Sequence, residues 1–289
     1  MNLESKFEAG EFAILAEFEP PKGVDVAMMA ANARKVKGIV DAFVVPEMSN
    51  AVMRISSLGG ALILQKQGLE TVMQVCCRDR NRLALQGDIL AASACGITNL
   101  MAVSGEDPGF GDHHQARSVY DIDLIELLET IKGLQKGRDM AGIELAGAPQ
   151  FLVGSTADIG AQGKSPDLAV EEMMKRNKAG ATFFITPPLF DPAILNPFLQ
   201  RVDRTKVTII PTVLLLKSLG MARYIQRNME HVHIPDELIT RLQRAPDKVR
   251  ECIRIAAELV SALKTEGFSG VLLSTIGWEH RLSEIIEGI

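Results

Sequence analysis

Segments typical of buried strands alternate with helix-like segments along all 289 residues of the chain. Buried parallel strands show continuous apolar runs, whereas helices repeat their apolar residues about every 3.6 positions. The predicted strands are 12–19, 41–46, 71–77, 99–103, 150–156, 182–186, 206–213 and 270–274. The predicted helices are 24–37, 55–67, 80–95, 121–135, 166–179, 192–203, 218–229 with 235–244, 246–265, and a last one from 278. Eight such units favour an α/β fold of the (β/α)8 TIM-barrel type.

Other features of the chain limit its class. The turn after the first strand, Glu19 to Gly23, is not the Gly-rich turn of a dinucleotide-binding sheet. No linker is evident, so we assign residues 1–289 to one barrel domain. The net charge of −5 argues against general nucleic-acid binding, and no apolar run is long enough to span a membrane. Four cysteines without regular spacing, and no signal peptide, predict a reduced, cytoplasmic protein.

Two carboxylates, Glu17 and Glu19, stand at the end of the first apolar run, directly before Pro20 and Pro21. A charge at the end of a buried strand is costly unless it is paired or useful. Ligands of parallel α/β folds bind at the carboxyl ends of the strands. These acids are therefore either solvated strand ends or part of a binding site.

In a barrel, the other strand ends would converge on the same mouth. The residues at these strand ends are Glu47, Gln74 with Cys76 and Cys77, Ser104 to Asp107, Ser155 to Asp158, Thr186 with Pro187, Thr212, and Ser274 to Gly277. Clustered carboxylates raise one another's pKa, which suits a general acid at neutral pH. Oxygen ligands also suit magnesium or manganese, but no ligand spacing is diagnostic, so we predict no metal.

Two pairs of adjacent residues have structural explanations. Cys76 and Cys77 would face opposite sides of a strand, so we interpret them as apolar packing residues rather than a redox pair. His113 and His114 lie in a long loop that reaches from Gly105 to Tyr120, and we interpret them as solvated. Loops of that length are often lids or binding loops.

Several short motifs, in this order, resemble the methylenetetrahydrofolate reductase family. They are Glu17-Phe18-Glu19-Pro20-Pro21, Ser104-Gly105-Glu106-Asp107-Pro108, Ala179-Gly180-Ala181, Phe184-Ile185-Thr186-Pro187, Ile209-Ile210-Pro211, Ile234-Pro235-Asp236-Glu237-Leu238 and the ending 270–278. The last two look like the shorter, anaerobic-type members. The resemblance covers nearly the whole chain and implies a flavin-containing barrel that reduces 5,10-methylenetetrahydrofolate to 5-methyltetrahydrofolate, or catalyses the reverse reaction.

The resemblance also implies roles for individual residues. Glu17 takes the position of the acid that protonates the pterin, and Glu106 lies beside flavin and folate. The implied flavin contacts are Glu47, Gln74, Val103, Ser104, Gly105, Thr156 and Arg176. The implied folate contacts are Glu19, Asp107, Pro187 and Leu219.

Several positions differ from the usual family pattern. Gln74 replaces a histidine, Pro187 a glutamine, and Leu219 a phenylalanine of some members; Glu106 replaces an aspartate, and Glu19 an aromatic residue. The resemblance implies FAD, with FMN as an alternative, and electrons from NAD(P)H or from a partner subunit. It leaves a homo-oligomer open. Two other functions stay open: a pterin-dependent methyltransferase, and a non-catalytic barrel subunit of a redox complex.

Overall fold

The computed structural model describes residues 2–161, 163–229 and 231–289. Its eight parallel strands pair in chain order, and β8 pairs with β1 to close the barrel. The strands are β1 Ala13–Glu17, β2 Ala42–Val45, β3 Thr71–Cys76, β4 Asn99–Val103, β5 Leu152–Thr156, β6 Phe183–Pro188, β7 Thr208–Leu214 and β8 Gly270–Ser274. The prediction of an α/β TIM barrel is therefore confirmed.

Helices cover the outside and the amino-terminal end of the barrel. They are α1 Leu3–Glu8, α2 Ala27–Lys35, α3 Ser57–Gln65, α4 Arg82–Ala94, α5 Leu124–Gln135, α6 Pro166–Ala179, α7 Asn196–Leu199, α8 Leu219–Asn228, α9 Asp236–Arg244, α10 Lys248–Thr265 and α11 Leu282–Ile286. The predicted bounds of β4, α6 and β8 agree with the structure. No helix of the described residues is both long and apolar enough to cross a membrane. The assignment of the chain to one domain stays a prediction.

Several elements differ from the sequence-based expectation, among them the predicted helix 192–203 and β6. The predicted helix 192–203 is a 3-10 turn, Pro192–Leu195, followed by the four-residue α7. Pro197 lies in the first turn of α7. Because proline has no backbone N–H to donate, one continuous helix from Pro192 through Pro197 would lack a hydrogen bond at this position. β6 extends two residues beyond the predicted Thr186, and its register shifts between Ile185 and Pro188.

The helix α1 was not predicted, and it lies against the amino-terminal end of the barrel. Leu3 belongs to the cluster of side chains inside the barrel, and the Phe7 ring lies 6.0 Å from that of Phe183. Phe183 also fills the space beside Gly154, where a Cβ would lie 2.1 Å from the ring. The amino-terminal end of the barrel is therefore filled with apolar side chains.

Candidate active site

Alternation along the strands directs Glu17 into the mouth of the barrel. Ala13 and Leu15 belong to the inner apolar cluster, so Glu17, two residues further, points to the same side. The same alternation carries Gln74 above Val72 on β3 and Thr156 above Leu152 on β5. The apolar layers thus end in a layer of polar side chains at the carboxyl edge of the sheet.

A cavity of about 350 Å³ opens at this edge. Its lining is Glu17, Glu47, Ser49, Gln74, Val103, Ser104, Gly105, Glu106 and Thr156. The cavity brings together both residues proposed for catalysis and all of the implied flavin contacts except Arg176. Its size is at the lower end of the range of small-molecule sites, about 300–1,000 Å³.

Glu17 has an unusual environment for a carboxylate. Burial raises its pKa to about 7, although a hydrogen bond from the Ser274 hydroxyl, at 2.8 Å, opposes the rise. The negative charges of Glu19, Glu279 and Glu106 add to it. A carboxyl group with this pKa is partly protonated at neutral pH and can act as a general acid there.

Arg78, which follows β3, joins three of the loops around the mouth. Its side chain is almost completely buried. The guanidinium donates to both carboxylate oxygens of Asp79, at 2.8 and 2.7 Å, and to the carbonyl oxygen of Met48 at 3.3 Å. It also contacts Glu106, at 3.3 Å to the carboxylate and 3.4 Å to the carbonyl oxygen. Arg78 therefore fixes the loops after β2 and β4 relative to each other.

The loop after β2 has a strained backbone. Met48, Asn50 and Ala51 have φ angles of 49°, 55° and 55°, a region that residues other than glycine seldom occupy. The loop after β4 packs on it so closely that a Cβ on Gly111 would lie 1.8 Å from the carbonyl oxygen of Ala51. Such strain persists where the surroundings fix the backbone, and it is common at ligand sites. Ser49, inside this loop, lines the cavity.

The position of Gly105, in the loop after β4, has no room for a side chain. Its φ is +90°, and a Cβ would lie 2.5 Å from the Cys76 sulfur and 2.8 Å from the Cβ of Arg78. A larger residue would push the loop after β4 away from β3. Tyr120, at the far end of this loop, donates its hydroxyl to the Gly105 carbonyl at 3.0 Å.

Glu47 and Gln74 are held by polar contacts. The Glu47 carboxylate accepts the Ser57 N–H at 2.7 Å and pairs with Arg80 at 3.0 Å. The side-chain oxygen of Gln74 accepts the Glu47 N–H at 3.1 Å. The amide nitrogen of Gln74 has only the thioether of Met101, at 3.9 Å, among the described residues. Its N–H groups are therefore available to a ligand in the cavity.

The remaining residues predicted for the site lie outside the lining. Arg176, on α6, donates to the carbonyl and hydroxyl oxygens of Thr156 at 2.5 and 3.1 Å. Glu19 pairs with Arg54 at 3.0 Å. Asp107 caps the turn Pro108–Phe110 by accepting the Gly109 N–H. Pro187 lies near the end of β6, and Leu219 begins α8, partly buried against the outer core. The roles assigned to all of these residues stay predictions.

The cysteine and histidine pairs have the surroundings expected from the sequence. Burial raises the pKa of Cys76 to about 11 and that of Cys77 to about 12, so both thiols are poor nucleophiles at neutral pH. His113 and His114 are exposed. Within the residues that the structure describes, no three His, Cys, Asp or Glu side chains are grouped to hold a metal ion.

Two residues of the site, Ser49 and Arg78, and the role of Ser274 were not predicted from the sequence. Ser49 and Arg78 carry no motif, and their contacts come from loops distant in sequence. The sequence places Ser274 at the mouth but indicates no role for it. A signal for Arg78 exists, since an arginine directly after the apolar pair Cys76-Cys77 and before Asp79 suggests a buried ion pair.

A model of the methylenetetrahydrofolate reductase family matches residues 2–289. Methylenetetrahydrofolate reductase 2 of Schizosaccharomyces pombe is 23% identical over 193 residues, which are 64% of this chain but only 29% of that protein's length.

Solved structures share the fold at low identity. An uncharacterized protein from Clostridium thermocellum that binds two copies of 5-methyl-5,6,7,8-tetrahydrofolic acid has a TM-score of 0.63 and 14% identity, over 99% of this chain and 96% of that one. EDTA monooxygenase from Chelativorans sp. BNC1 has a TM-score of 0.57 and 11% identity, over 96% and 93% of the two chains. At these identities the likeness establishes the barrel fold.

Proposed function

Because the chain belongs to the methylenetetrahydrofolate reductase family, we propose that it interconverts 5,10-methylenetetrahydrofolate and 5-methyltetrahydrofolate with a bound flavin. The observation that carries this proposal is Glu17, a carboxyl group with a pKa of about 7 in the lining of a cavity at the barrel mouth. The Clostridium protein with the same fold binds the methylated folate that would be the product here.

In this proposal, Glu17 supplies the proton. When the methylene bridge opens, one of its two carbon–nitrogen bonds breaks and the carbon becomes an iminium with the nitrogen that keeps it. The electron pair of the broken bond stays on the other folate nitrogen, and a positioned acid lowers the cost of that charge by protonating this nitrogen. General acid catalysis of this kind contributes about 10²–10⁴-fold. Burial keeps Glu17 protonated up to neutral pH, where an ordinary glutamate would already be ionised. Glu106, whose side chain is about half exposed (56%), would accept hydrogen bonds from the amino groups of the pterin.

The residues of the cavity fit a flavin, with FAD as the family default and FMN as the alternative. The free amide N–H groups of Gln74 and the backbone around Gly105 offer hydrogen bonds to a flat polar ring. Arg176 would neutralise a flavin phosphate, since its Nη2 and Nε atoms make no hydrogen bond within the described residues. A bound flavin supplies the hydride, while the protein binds, orients and protonates the folate.

The electron donor is either NAD(P)H or a partner subunit. The chain has no dinucleotide-binding turn after β1, so a nicotinamide would have to enter the same cavity as the folate. We propose that NADH works poorly with the isolated protein, or that a partner subunit is needed. Rapid bleaching of the flavin by NADH in the isolated protein would contradict this.

The deciding experiment is an absorbance spectrum of protein made in flavin-replete cells, with identification of the released cofactor. Yellow protein whose reduced flavin is reoxidised by methylenetetrahydrofolate supports the reductase. Colourless protein that takes up neither FAD nor FMN contradicts it. Flavin-free protein that transfers methyl groups to a corrinoid would instead support a methyltransferase, and the absence of both reactions a non-catalytic subunit.

A further inference from the structure

The seam where the barrel closes brings Glu17 and Ser274 together. Ala16 on β1 is the register partner of Leu273 on β8, so the next residues of the two strands are neighbours at the mouth. Ser274 is buried, with 7% of its surface exposed, and its Oγ lies 2.8 Å from Oε1 of Glu17. The side chains meet at the carboxyl edge of the sheet, where the cavity begins.

The hydroxyl group of Ser274 donates its hydrogen bond to Glu17. Among the described residues, the Oγ atom donates to no acceptor other than Oε1 of Glu17. A protonated carboxyl group has one oxygen that accepts and one that donates. Since Oε1 accepts from Ser274, the proton of Glu17 belongs on Oε2.

The second oxygen of Glu17 faces the cavity. Oε2 makes no hydrogen bond within the described residues. It is not one of the buried side-chain atoms that lack a partner, so it is accessible to solvent. Glu17 itself lines the cavity. Oε2 is therefore the oxygen that a ligand can reach.

We propose that Ser274 is a positioning residue that holds Oε1 of Glu17 and thereby places the transferable proton on Oε2, toward the ligand. The use of this proton on a folate rests on the function proposed above. The placement of the proton does not, because it follows from contacts within the barrel.

Charges around Glu17 make the contribution of Ser274 measurable. The charged groups that face Glu17 are Glu19 on the extension of β1, Glu279 after β8, and Glu106 after β4. All three are acids and disfavour ionisation of Glu17. The Ser274 hydrogen bond opposes these charges by favouring the ionised form, so its loss must raise the pKa of Glu17 further.

The test is a titration of ligand-free protein by NMR, with glutamate labelled with carbon-13 at the side-chain carboxyl. The signal of Glu17 is assigned by its loss in Glu17→Gln. We expect Ser274→Ala to raise the midpoint by about one pH unit, a tenfold gain in proton affinity, as for loss of a hydrogen bond to a charged group. Ser274→Thr, which keeps the hydroxyl, should restore the parent midpoint.

Ser155→Ala is the matched control. Ser155 is a fully buried serine whose hydroxyl donates to the Ala102 carbonyl at 3.0 Å, away from Glu17. Its loss should leave the midpoint unchanged. Ser274→Cys, nearly isosteric but a weaker donor, serves if the alanine variant does not fold, and its midpoint should rise by less than one unit.

Two results would overturn the proposal: an unchanged midpoint in folded Ser274→Ala or Ser274→Cys, or an equal shift in Ser155→Ala. The titration uses no flavin or folate, so its outcome is separate from that of the proposed function. If the protein proves to be a reductase, the pH profile of flavin reoxidation by methylenetetrahydrofolate should move with the midpoint in Ser274→Ala.

Discussion

The two ends of this barrel are built from the same strands but treat buried polar groups differently. At the amino-terminal end, two partly buried acids each have polar partners. Glu70 accepts the Leu3 N–H at 2.8 Å and the Asn99 side-chain amide at 3.0 Å, and Asp41 accepts Lys6 and the Ile14 N–H at 2.6 and 2.7 Å. Around these contacts, α1 packs its apolar side chains against the inner cluster.

At the carboxyl-terminal end, groups are left in costly states. Glu17 is partly buried near three other acids, and the loop after β2 holds three non-glycine residues at positive φ. Arg78 is buried to join the loops rather than to fill the core. Only Ala16 separates the apolar layer at Leu15 from the acid at Glu17 along the strand. One inward position per strand therefore separates an end that is filled with apolar side chains from an end whose polar groups line an open cavity.

The largest expected effect is at the mouth. Glu17→Gln should keep the fold and any flavin, because the change is nearly isosteric, but should raise the barrier of the folate half-reaction by roughly 3–5 kcal/mol. Stopped-flow reoxidation of reduced flavin by methylenetetrahydrofolate measures it. Glu19→Gln is the control and should be much milder, since Glu19 pairs with Arg54 outside the cavity. Reoxidation of Glu17→Gln at the parent rate would remove Glu17 as the acid.

Next in size is the loss of the arginine that joins the loops. Arg78→Met should destabilise the protein by about 3 kcal/mol, because it leaves Asp79 and the carbonyl of Met48 without their buried partner. Chemical denaturation measures this change. Arg34→Met, which removes an exposed arginine bonded to Gln67, is the control and should cost far less. Equal losses in the two variants would show that Arg78 does not hold the mouth together.

At the opposite end, Leu3→Ala should affect stability without affecting Glu17. Removing a fully buried leucine side chain costs about 2–3 kcal/mol in the free energy of unfolding. Val24→Ala, at a side chain that is 95% exposed, should be close to neutral. The midpoint of the Glu17 titration should be unchanged in both variants. A shift in Leu3→Ala would mean that the two ends are coupled, contrary to the comparison.

The smallest effect is the pH dependence of stability that Glu17 causes. Its pKa rises from 4.5 to about 7 on folding, so the stabilisation by the bound proton is full below pH 4.5 and is lost as the pH rises through 7. The free energy of unfolding of Glu17→Gln, relative to that of the parent, should therefore increase by about 2 kcal/mol from pH 5 to pH 8. This value is discounted for the solvent that reaches the cavity. Urea unfolding of both proteins at pH 5 and at pH 8 measures this change. If the two proteins differ in stability by the same amount at both pH values, the pKa shift is refuted.

The sequence was sufficient for the fold because each strand–helix unit carries its own local pattern. Glu17 and Gln74 were also predictable in place, since strand alternation and the carboxyl edge of a barrel determine where they point. The pairing of Glu17 with Ser274 could not be read in advance, because it depends on which side chains meet across a closed seam.

Other features depend on tertiary contacts alone. α1 has six residues, too few to be stable in isolation, and it gains its stability from Leu3 and Phe7 inside the barrel. The positive φ angles around Ser49 occur at residues without a glycine signal, and they are maintained by contacts from Arg78 and Gly111. Neither could be found from local propensity.

The closing seam has a consequence for how the protein matures. Glu17 and Ser274 are 257 residues apart in the chain, and a contact of that separation forms only after a long loop has closed. In a nascent or truncated chain that lacks β8, Glu17 would be exposed to water and would have the pKa of an ordinary glutamate. The acid would then be ionised at neutral pH and could not donate a proton. Competence for proton transfer would therefore appear only when the last strand joins the first, late in folding.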